Sequence, residues 1–250
     1  MAKLALRVVL FGWAATSLLA SSQIVHPVSG NQERLLVHVG SSGKEILWQE
    51  NDAGWQTPVA LTANSTDDLD PEFCVSGITG RRMSVYWRDT PTPSIVVQRD
   101  DAAANWWPGE MASDASVDSR FPVCAFFGGQ FHVAYEARTT GGLREVVVGS
   151  SNDDDPPPCS GEGCPQEPPT GGPDDPIGIS QLRATSVTFT AALRLHVEDG
   201  HLWADWIDSN TTMGYAEYDA VLGWSAVSTV TYSGDVEASR ASVRVQVLGY

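Results

Sequence analysis

The feature that most constrains the fold is an apolar, aromatic-rich segment that recurs along the chain. Its copies are Leu35–Val39, Met83–Trp87, Phe131–Tyr135 and Leu202–Trp206. The intervals from Val39 to Trp87 and from Trp87 to Tyr135 are 48 residues each (87 − 39 and 135 − 87). A period of about 40–50 residues built from short strands is typical of β-propeller blades. The repeat therefore predicts an all-β chain.

Glycine-containing turns set the boundaries of the predicted strands. Gly128-Gly129 and Asp199-Gly200 are two-residue hairpin signals, and Gly77–Gly80 marks a longer turn. A third strand follows each hairpin, and a tryptophan then opens a short fourth strand. This pattern predicts about four blades of four antiparallel strands each.

The two ends of the chain are expected to share a blade. The first unit begins with its second strand, Leu35–Val39, whereas Ser242–Leu248 reads as a lone first strand. Pairing of these segments would close the propeller and remove an exposed sheet edge. Pairing with another copy of the chain, to close a larger ring, is the alternative.

Residues 1–22 read as a secretory signal peptide. Lys3 and Arg7 precede an apolar run, and Ala20-Ser21-Ser22 offers small residues for cleavage after Ser22. An uncleaved membrane anchor is the alternative, although the run is shorter than the ~20 residues that a span needs. No other segment is long and apolar enough to span a bilayer. The protein is thus expected to be secreted, periplasmic or on the cell surface.

The chain is strongly acidic, with a formal net charge of −16. Such a charge repels phosphate backbones, which excludes nucleic acid as a partner. Solubility outside the cell explains the acidity, and Ca²⁺ binding on loops is the alternative. No other cofactor is indicated.

Residues 152–176 interrupt the repeat. They contain eight of the fifteen prolines, seven acidic residues and no basic residue. This composition predicts an irregular surface loop inserted into a single domain at 23–250, tied locally by a Cys159–Cys164 disulfide. A linker between two domains is the alternative.

The other two cysteines, Cys74 and Cys124, are predicted to form a disulfide. Counting back from the hairpins places Cys74 opposite Val85 and Cys124 opposite Val133, which is one equivalent position in neighbouring first strands. An exported chain favours disulfides. Two buried, reduced thiols are the alternative.

The repeat units resemble those of sialidase-like bacterial β-propellers of the Asp-box type. The resemblance lies in Val85–Asp89, in Gly54–Pro58 and in partial Asp-boxes at Asp52–Trp55 and Asp219–Trp224. Arg120-Phe121-Pro122 is similar to the Arg-Ile-Pro motif that carries the first of three carboxylate-binding arginines in that family. No second or third arginine can be assigned to the pattern, so the resemblance implies a non-catalytic propeller. The same segment, Asp118–Val123, also occupies the blade position of Asp70–Phe73, which makes an ordinary repeat feature the alternative.

Other candidate ligand-binding residues are aromatic. Trp107 and Trp203 fall outside the repeat positions of the tryptophans and could stack on a sugar ring. A weaker hypothesis is a Zn²⁺ site at the Asp199-Gly200 hairpin, where His196, Glu198 and His201 share one face.

Three functions are compatible with the sequence. The favoured one is an exported, non-catalytic module that binds a glycan or a protein partner at the cell surface. The alternatives are a sialidase-like glycoside hydrolase and a structural module of an envelope assembly. Propeller architecture alone does not choose among them.

Overall fold

The structure is a computed structural model that describes residues 19–40, 42–101, 103–138, 144–152, 182–187, 191–209, 212–219 and 221–231. These residues form four antiparallel sheets and no helix, so the all-β propeller-like prediction is confirmed. Within the same ranges there is accordingly no helix that could serve as a membrane span.

The first two sheets, blades 1 and 2, each contain four strands in chain order. The strands of blade 1 are β1 (Leu19–Val25), β2 (Gln32–Val39), β3 (Lys44–Asn51) and β4 (Val59–Ala60). The strands of blade 2 are β5 (Asp67–Val75), β6 (Arg82–Asp89), β7 (Ser94–Arg99) and β8 (Glu110–Met111).

Blades 3 and 4 follow the same plan, except that blade 4 has a fifth strand. The strands of blade 3 are β9 (Asp118–Phe127), β10 (Gln130–Arg138), β11 (Arg144–Asn152) and β12 (Leu182–Val187). The strands of blade 4 are β13 (Ala191–Glu198), β14 (His201–Ser209), β15 (Thr212–Asp219), β16 (Gly223–Trp224) and β17 (Ser228–Thr231). In blade 4 both β16 and β17 pair with β15.

The predicted hairpins are present. Gln130 pairs with Phe127 across Gly128-Gly129, and His201 pairs with Glu198 across Asp199-Gly200. Gly128, Gly129, Asp199 and Gly200 all have positive φ angles, between 50° and 82°. Two positive φ angles in a two-residue turn match the right-handed twist of the flanking strands.

The predicted pairing of Ser242–Leu248 with Leu35–Val39 is wrong in this structure. Leu19–Val25 forms the first strand of blade 1, with Leu19 opposite Val37, and Lys44–Asn51 takes the other side of β2. Both edges of β2 are thus filled by neighbours in sequence. The prediction missed β1 because Leu19–Ser22 were assigned to the end of the signal peptide. Cleavage after Ser22, which stays a prediction, would fall inside β1.

Insertion of residues 152–176 into one domain also stays a prediction, because Asp153–Pro176 lie outside the described residues. The strands on either side, β11 and β12, pair with each other in blade 3. Cys159, Cys164 and Ser242–Leu248 are likewise outside the described residues.

Neighbouring blades pack through apolar side chains that alternate along the strands. Blades 1 and 2 enclose a cluster around Leu35, Ile46, Trp48 and Phe73, while Trp206 anchors the cluster between blades 3 and 4. Every residue of Arg82–Trp87 in β6 is buried, because blade 2 has a neighbour on each side. Burial of many strands on both faces makes the blades one continuous packing unit.

The Cys74–Cys124 disulfide is confirmed, with 5.9 Å between the Cα atoms. The predicted register is half wrong: Cys124 lies opposite Val133 as expected, but Cys74 lies opposite Met83 rather than Val85. Ser76 explains the shift, since its Oγ accepts the N–H groups of the next turn and so starts the turn one residue early.

Each first strand contains a β-bulge near its beginning. The bulges lie after Ala20 in β1, after Leu69 in β5, after Arg120 in β9 and after Ala191 in β13. These first strands are also the strands through which the sheets pack on one another. We call this end of the propeller the bulge end, and we call the opposite end, which carries the hairpin turns between first and second strands, the turn end.

Candidate functional site

The backbone is strained at the bulge end of blades 2 and 3. Asp70 has a φ of 45° and Phe121 has a φ of 55°, and each precedes a proline. A residue before proline normally adopts an extended conformation, and a positive φ is uncommon without glycine. Such bulges are enriched beside functional sites, where they redirect a side chain. The side chains around these two positions are therefore candidates for a functional site.

Trp87 contacts three side chains at the bulge end. It lies opposite Leu69 in blade 2, and its Nε1 donates a hydrogen bond to Asp70 Oδ2 at 2.9 Å. The guanidinium of Arg120 lies 5.0 Å from the Trp87 ring centroid, a distance suited to a cation–π contact. The ring of Phe121 meets Trp87 edge-on at 6.4 Å. Trp87 is buried, so it supports these groups rather than offering a face to a ligand.

Arg120 is held in place by a carboxylate. Its Nε donates to Asp118 Oδ1 at 2.7 Å, and the two side chains are each 29% exposed. Across the strand pair, Glu136 lies opposite Arg120 and Arg138 lies opposite Asp118. The charges at the start of blade 3 thus alternate in sign, with Arg138 Nε contacting Glu136 Oε1 at 2.6 Å.

Glu72 adds a second carboxyl group two residues after Asp70. The pKa of Glu72 is raised to about 7, mainly by burial and in smaller part by the charge of Asp70, while a hydrogen bond from Ser22 Oγ (3.4 Å) opposes the rise. Ser22 belongs to β1, Glu72 to β5 and Arg120 to β9. Three neighbouring first strands therefore contribute side chains to one region.

We call this region the bulge-end cluster. It consists of Asp70, Glu72, Trp87, Asp118, Arg120 and Phe121. Ser22 contacts Glu72 in the full-length chain and would be removed by the predicted cleavage. The cluster combines hydrogen-bonding groups with aromatic carbon at the strand ends that neighbouring blades share. A few fixed polar groups beside aromatic side chains are what small-molecule recognition requires.

The predicted ligand-binding residues do not share a site. Arg120 lies in the bulge-end cluster, whereas Trp107 belongs to the segment after β7, where the guanidinium of Arg81 lies 5.9 Å from its ring. Trp203 lies in β14 of blade 4 and contacts Tyr215, with 6.2 Å between ring centroids.

The histidine hairpin of blade 4 does not converge on one point. His196 Nε2 lies 3.6 Å from Glu198 Oε2, but His201 Nδ1 lies 2.5 Å from Glu217 Oε1 instead. Asp205 Oδ2 lies 3.2 Å from the Nδ1 of His196. In the part of the chain that the structure describes, no three His, Cys, Asp or Glu residues form a group suited to a metal ion.

Sequence reasoning missed Asp70, Glu72 and Trp87 as site residues. The signal was present, because Asp70-Pro71 and Phe121-Pro122 were placed at one blade position. The shared proline was interpreted as a repeat feature, and the structure shows that the repeat feature is itself the strained bulge. Trp87 packs in the core between blades 2 and 3, and it also contacts Asp70 and Arg120.

The fold is similar to that of solved sialidase propellers. A Hadza microbial sialidase aligns with a TM-score of 0.53 at 13% identity, covering 88% of this chain and 46% of its own. The intramolecular trans-sialidase from Ruminococcus gnavus aligns with a TM-score of 0.56 at 10% identity, covering 87% of this chain and 71% of its own. The leech intramolecular trans-sialidase gives 0.55 at 10% identity, covering 88% of this chain and 51% of its own.

The chain therefore spans less than half the length of the Hadza sialidase. At such low identity the likeness concerns the fold alone. No family model matches the sequence, and no curated protein matches it.

Proposed function

We propose that this protein is an exported, non-catalytic β-propeller module that binds a glycan at the cell surface through the bulge-end cluster. The observation that carries the proposal is the convergence of Asp70 and Arg120, from two neighbouring first strands, on Trp87, with Glu72 close enough to Asp70 for its charge to act on it. The fold shared with sialidases supports a glycan as the ligand. The Cys74–Cys124 disulfide supports an oxidising compartment outside the cytosol.

The chemistry of the cluster suits sugar hydroxyls, which both donate and accept hydrogen bonds. Asp70 is an exposed carboxylate whose position is fixed by the indole N–H of Trp87. Arg120 is fixed by Asp118 on one edge and by the Trp87 ring on one face. Groups that are already held in place lose little conformational freedom when a ligand binds, which favours affinity.

The state of Arg120 also supports a binding role over catalysis. An arginine that recognises a substrate carboxylate presents its Nε and Nη edge to that carboxylate. Here the Nε of Arg120 already contacts Asp118. The resemblance to the Arg-Ile-Pro motif therefore extends to the sequence position more than to the geometry of binding.

The test is a glycan array probed with the full chain and with Arg120→Ala. We expect binding to a defined set of glycans, reduced about tenfold or more by the substitution. Arg34→Ala is the matched control, because Arg34 also lies over a tryptophan, Trp55, at 3.8 Å, but in blade 1 and away from the cluster. Equal binding by wild type and Arg120→Ala would contradict the proposal, as would an array without signal.

A sialidase-like hydrolase is the second candidate function, and Glu72 is the observation that favours it. A carboxyl group with a pKa of about 7 remains partly protonated near neutral pH, as a general acid requires. Hydrolysis of a fluorogenic sialoside, measured for wild type and Glu72→Gln, decides between the two. Turnover that disappears in Glu72→Gln would establish the hydrolase, and the binding proposal expects no turnover by either protein.

A further inference from the structure

We infer that the bulge-end cluster selects sugars without a negative charge and rejects sialylated glycans. This inference rests on the proposed glycan-binding function and specifies its ligand class. It differs from what the fold likeness alone would suggest, because the solved structures that share the fold are sialidases.

The first argument is the pairing of the arginines at this end of the propeller. Each of four arginines contacts a carboxylate of the chain through its Nε atom, at 2.6–2.8 Å. The pairs are Arg88 with Asp68, Arg120 with Asp118, Arg138 with Glu136, and Arg194 with Asp205. The pairing recurs in blades 2, 3 and 4, on the first two strands of each.

The geometry of these pairs opposes an anionic ligand. Bidentate recognition of a carboxylate uses the edge of the guanidinium that carries Nε–H and one Nη–H. Asp205 already receives both bonds from Arg194, at 2.8 and 2.9 Å. Asp68 receives Arg88 Nε at 2.8 Å and is completely buried, so a ligand cannot readily displace it. A carboxylate sugar would have to compete with an internal acid at each of these arginines.

The second argument is the surplus of acidic groups. Asp70 and Glu72 accept hydrogen bonds from Trp87 and Ser22, which are uncharged. Together with Asp118 they give the cluster three carboxyl groups beside the single guanidinium of Arg120. The raised pKa of Glu72 leaves that group only partly ionised near neutral pH, so Asp70 and Asp118 carry the excess of negative charge. The net charge of −16 adds a long-range repulsion of the same sign. An anionic sugar would therefore bring like charges together without a compensating cation.

A sugar without negative charge avoids this conflict. Its hydroxyls can donate to Asp70 and can accept from the remaining N–H groups of Arg120, which has five donors in total. A protonated amino sugar would gain an additional attraction to Asp70. The half-buried ring of Phe121 offers carbon for the apolar face of a sugar.

The test is an array of neutral oligosaccharides, the same oligosaccharides capped with sialic acid, and amino-sugar oligomers such as chitosan fragments, at about 0.15 M salt. We expect binding to uncapped sugars and at least tenfold weaker binding to the capped forms. Equal or tighter binding to the capped forms would overturn the charge selection while leaving glycan binding intact. Absence of binding to every class would instead overturn the proposed function on which the inference rests.

Asp118→Asn makes the test specific to the cluster. The substitution removes one negative charge and leaves a neutral amide oxygen as a weaker acceptor for the Nε–H of Arg120, so we expect binding of sialyllactose to improve at least threefold relative to wild type. Asp52→Asn is the matched control, because it removes the same charge from an exposed turn between β3 and β4. An unchanged affinity in Asp118→Asn, or an equal gain in Asp52→Asn, would contradict the assignment of selectivity to the cluster.

Discussion

Two arginines, Arg82 at the turn end of blade 2 and Arg120 at the bulge end of blade 3, show how the ends of this propeller differ. At the turn end, Arg82 contacts Glu33 of blade 1 and Asp100 of blade 2 at 2.7–2.8 Å, and its side chain is only 6% exposed. At the bulge end, Arg120 contacts Asp118, and its side chain is 29% exposed. Both are ion-paired, and both lie near a tryptophan ring.

Burial separates the roles of the two arginines. Glu33 and Asp100 are completely buried, and Glu33 also accepts a hydrogen bond from Trp48 Nε1 at 3.2 Å. A charge network in this setting links blades and has no surface for a ligand. Arg120 keeps part of its surface exposed and sits on a strained bulge, which suits recognition. The comparison teaches that ion pairing alone does not identify a functional arginine in this fold.

The largest expected effect concerns Arg82. Replacement by alanine leaves Glu33 and Asp100 as buried charges without their arginine, and breaking such a network costs about 3–5 kcal/mol. We expect Arg82→Ala to lower the free energy of unfolding by that amount in a urea titration. Arg81→Ala, at the partly exposed neighbour, is the control and should change stability by less than about 1 kcal/mol.

A triple variant sharpens this expectation. Arg82→Met combined with Glu33→Gln and Asp100→Asn removes the charges together, so it should recover much of the loss seen in Arg82→Ala. If Arg82→Ala were as stable as wild type, the turn end would not depend on the network, and the contrast with Arg120 would fail.

The second effect concerns the Cys74–Cys124 disulfide, which joins blades 2 and 3 across a sequence separation of 50 residues. Closing a loop of this length stabilises the folded state by about 4 kcal/mol in the chain-entropy model. We expect the double variant Cys74→Ser and Cys124→Ser to lose stability of that order under oxidising conditions. The same variant should match wild type when both are measured with reductant, and a difference that persists with reductant would attribute the loss to packing instead.

Much of this fold follows from the sequence, because hairpin glycines and alternating apolar residues act locally. Gly128-Gly129 fixed the register of blade 3 correctly, including the position of Cys124. The register of Cys74 was missed because the side chain of Ser76 begins its turn early, which composition does not show. The first strand, Leu19–Val25, was missed because its small and apolar residues at 19–22 also fit the cleavage region of a signal peptide.

The candidate site was less predictable than the fold. Arg120 was noticed through a motif, but Glu72 owes its raised pKa to burial and Asp70 owes its position to Trp87, which lies seventeen residues away. The burial of Glu72 and the contact between Asp70 and Trp87 depend on how the strands pack in three dimensions, which the sequence pattern does not show. Trp107 and Trp203 were chosen because they fall outside the repeat positions. That criterion does not indicate which side chains lie close together in the folded protein.

The third prediction concerns the pH dependence of stability at the turn end. His132 is completely buried beside Tyr218, and burial lowers its pKa to about 4, although a hydrogen bond with the carbonyl of Phe127 opposes the shift. The unfolded state therefore binds a proton near pH 6.5, before the folded state does. Stability should fall as the pH drops from about 6.5 to 4, by about 3 kcal/mol in total.

Glu72 acts in the opposite direction in the same range, so His132 needs a comparison. The raised pKa of Glu72 means that its burial destabilises the folded state increasingly as the pH rises from about 4.5 to 7. Urea titrations across pH 4–7 give the free energy of unfolding of wild type and of His132→Phe at each pH. The difference between these two pH curves is the contribution of His132. Parallel curves would show that His132 does not contribute to acid sensitivity.

The smallest effect on stability should come from Arg120. The ion pair with Asp118 is partly exposed, and such pairs contribute about 0–1 kcal/mol. We therefore expect Arg120→Ala to unfold within about 1 kcal/mol of wild type in the same urea titration, while its glycan binding falls about tenfold. Substitution of a partly exposed ligand-binding residue should lower the affinity with little change in the free energy of unfolding. A loss of several kcal/mol would place Arg120 with Arg82 as a structural residue, and the distinction between the two ends of the propeller would then be lost.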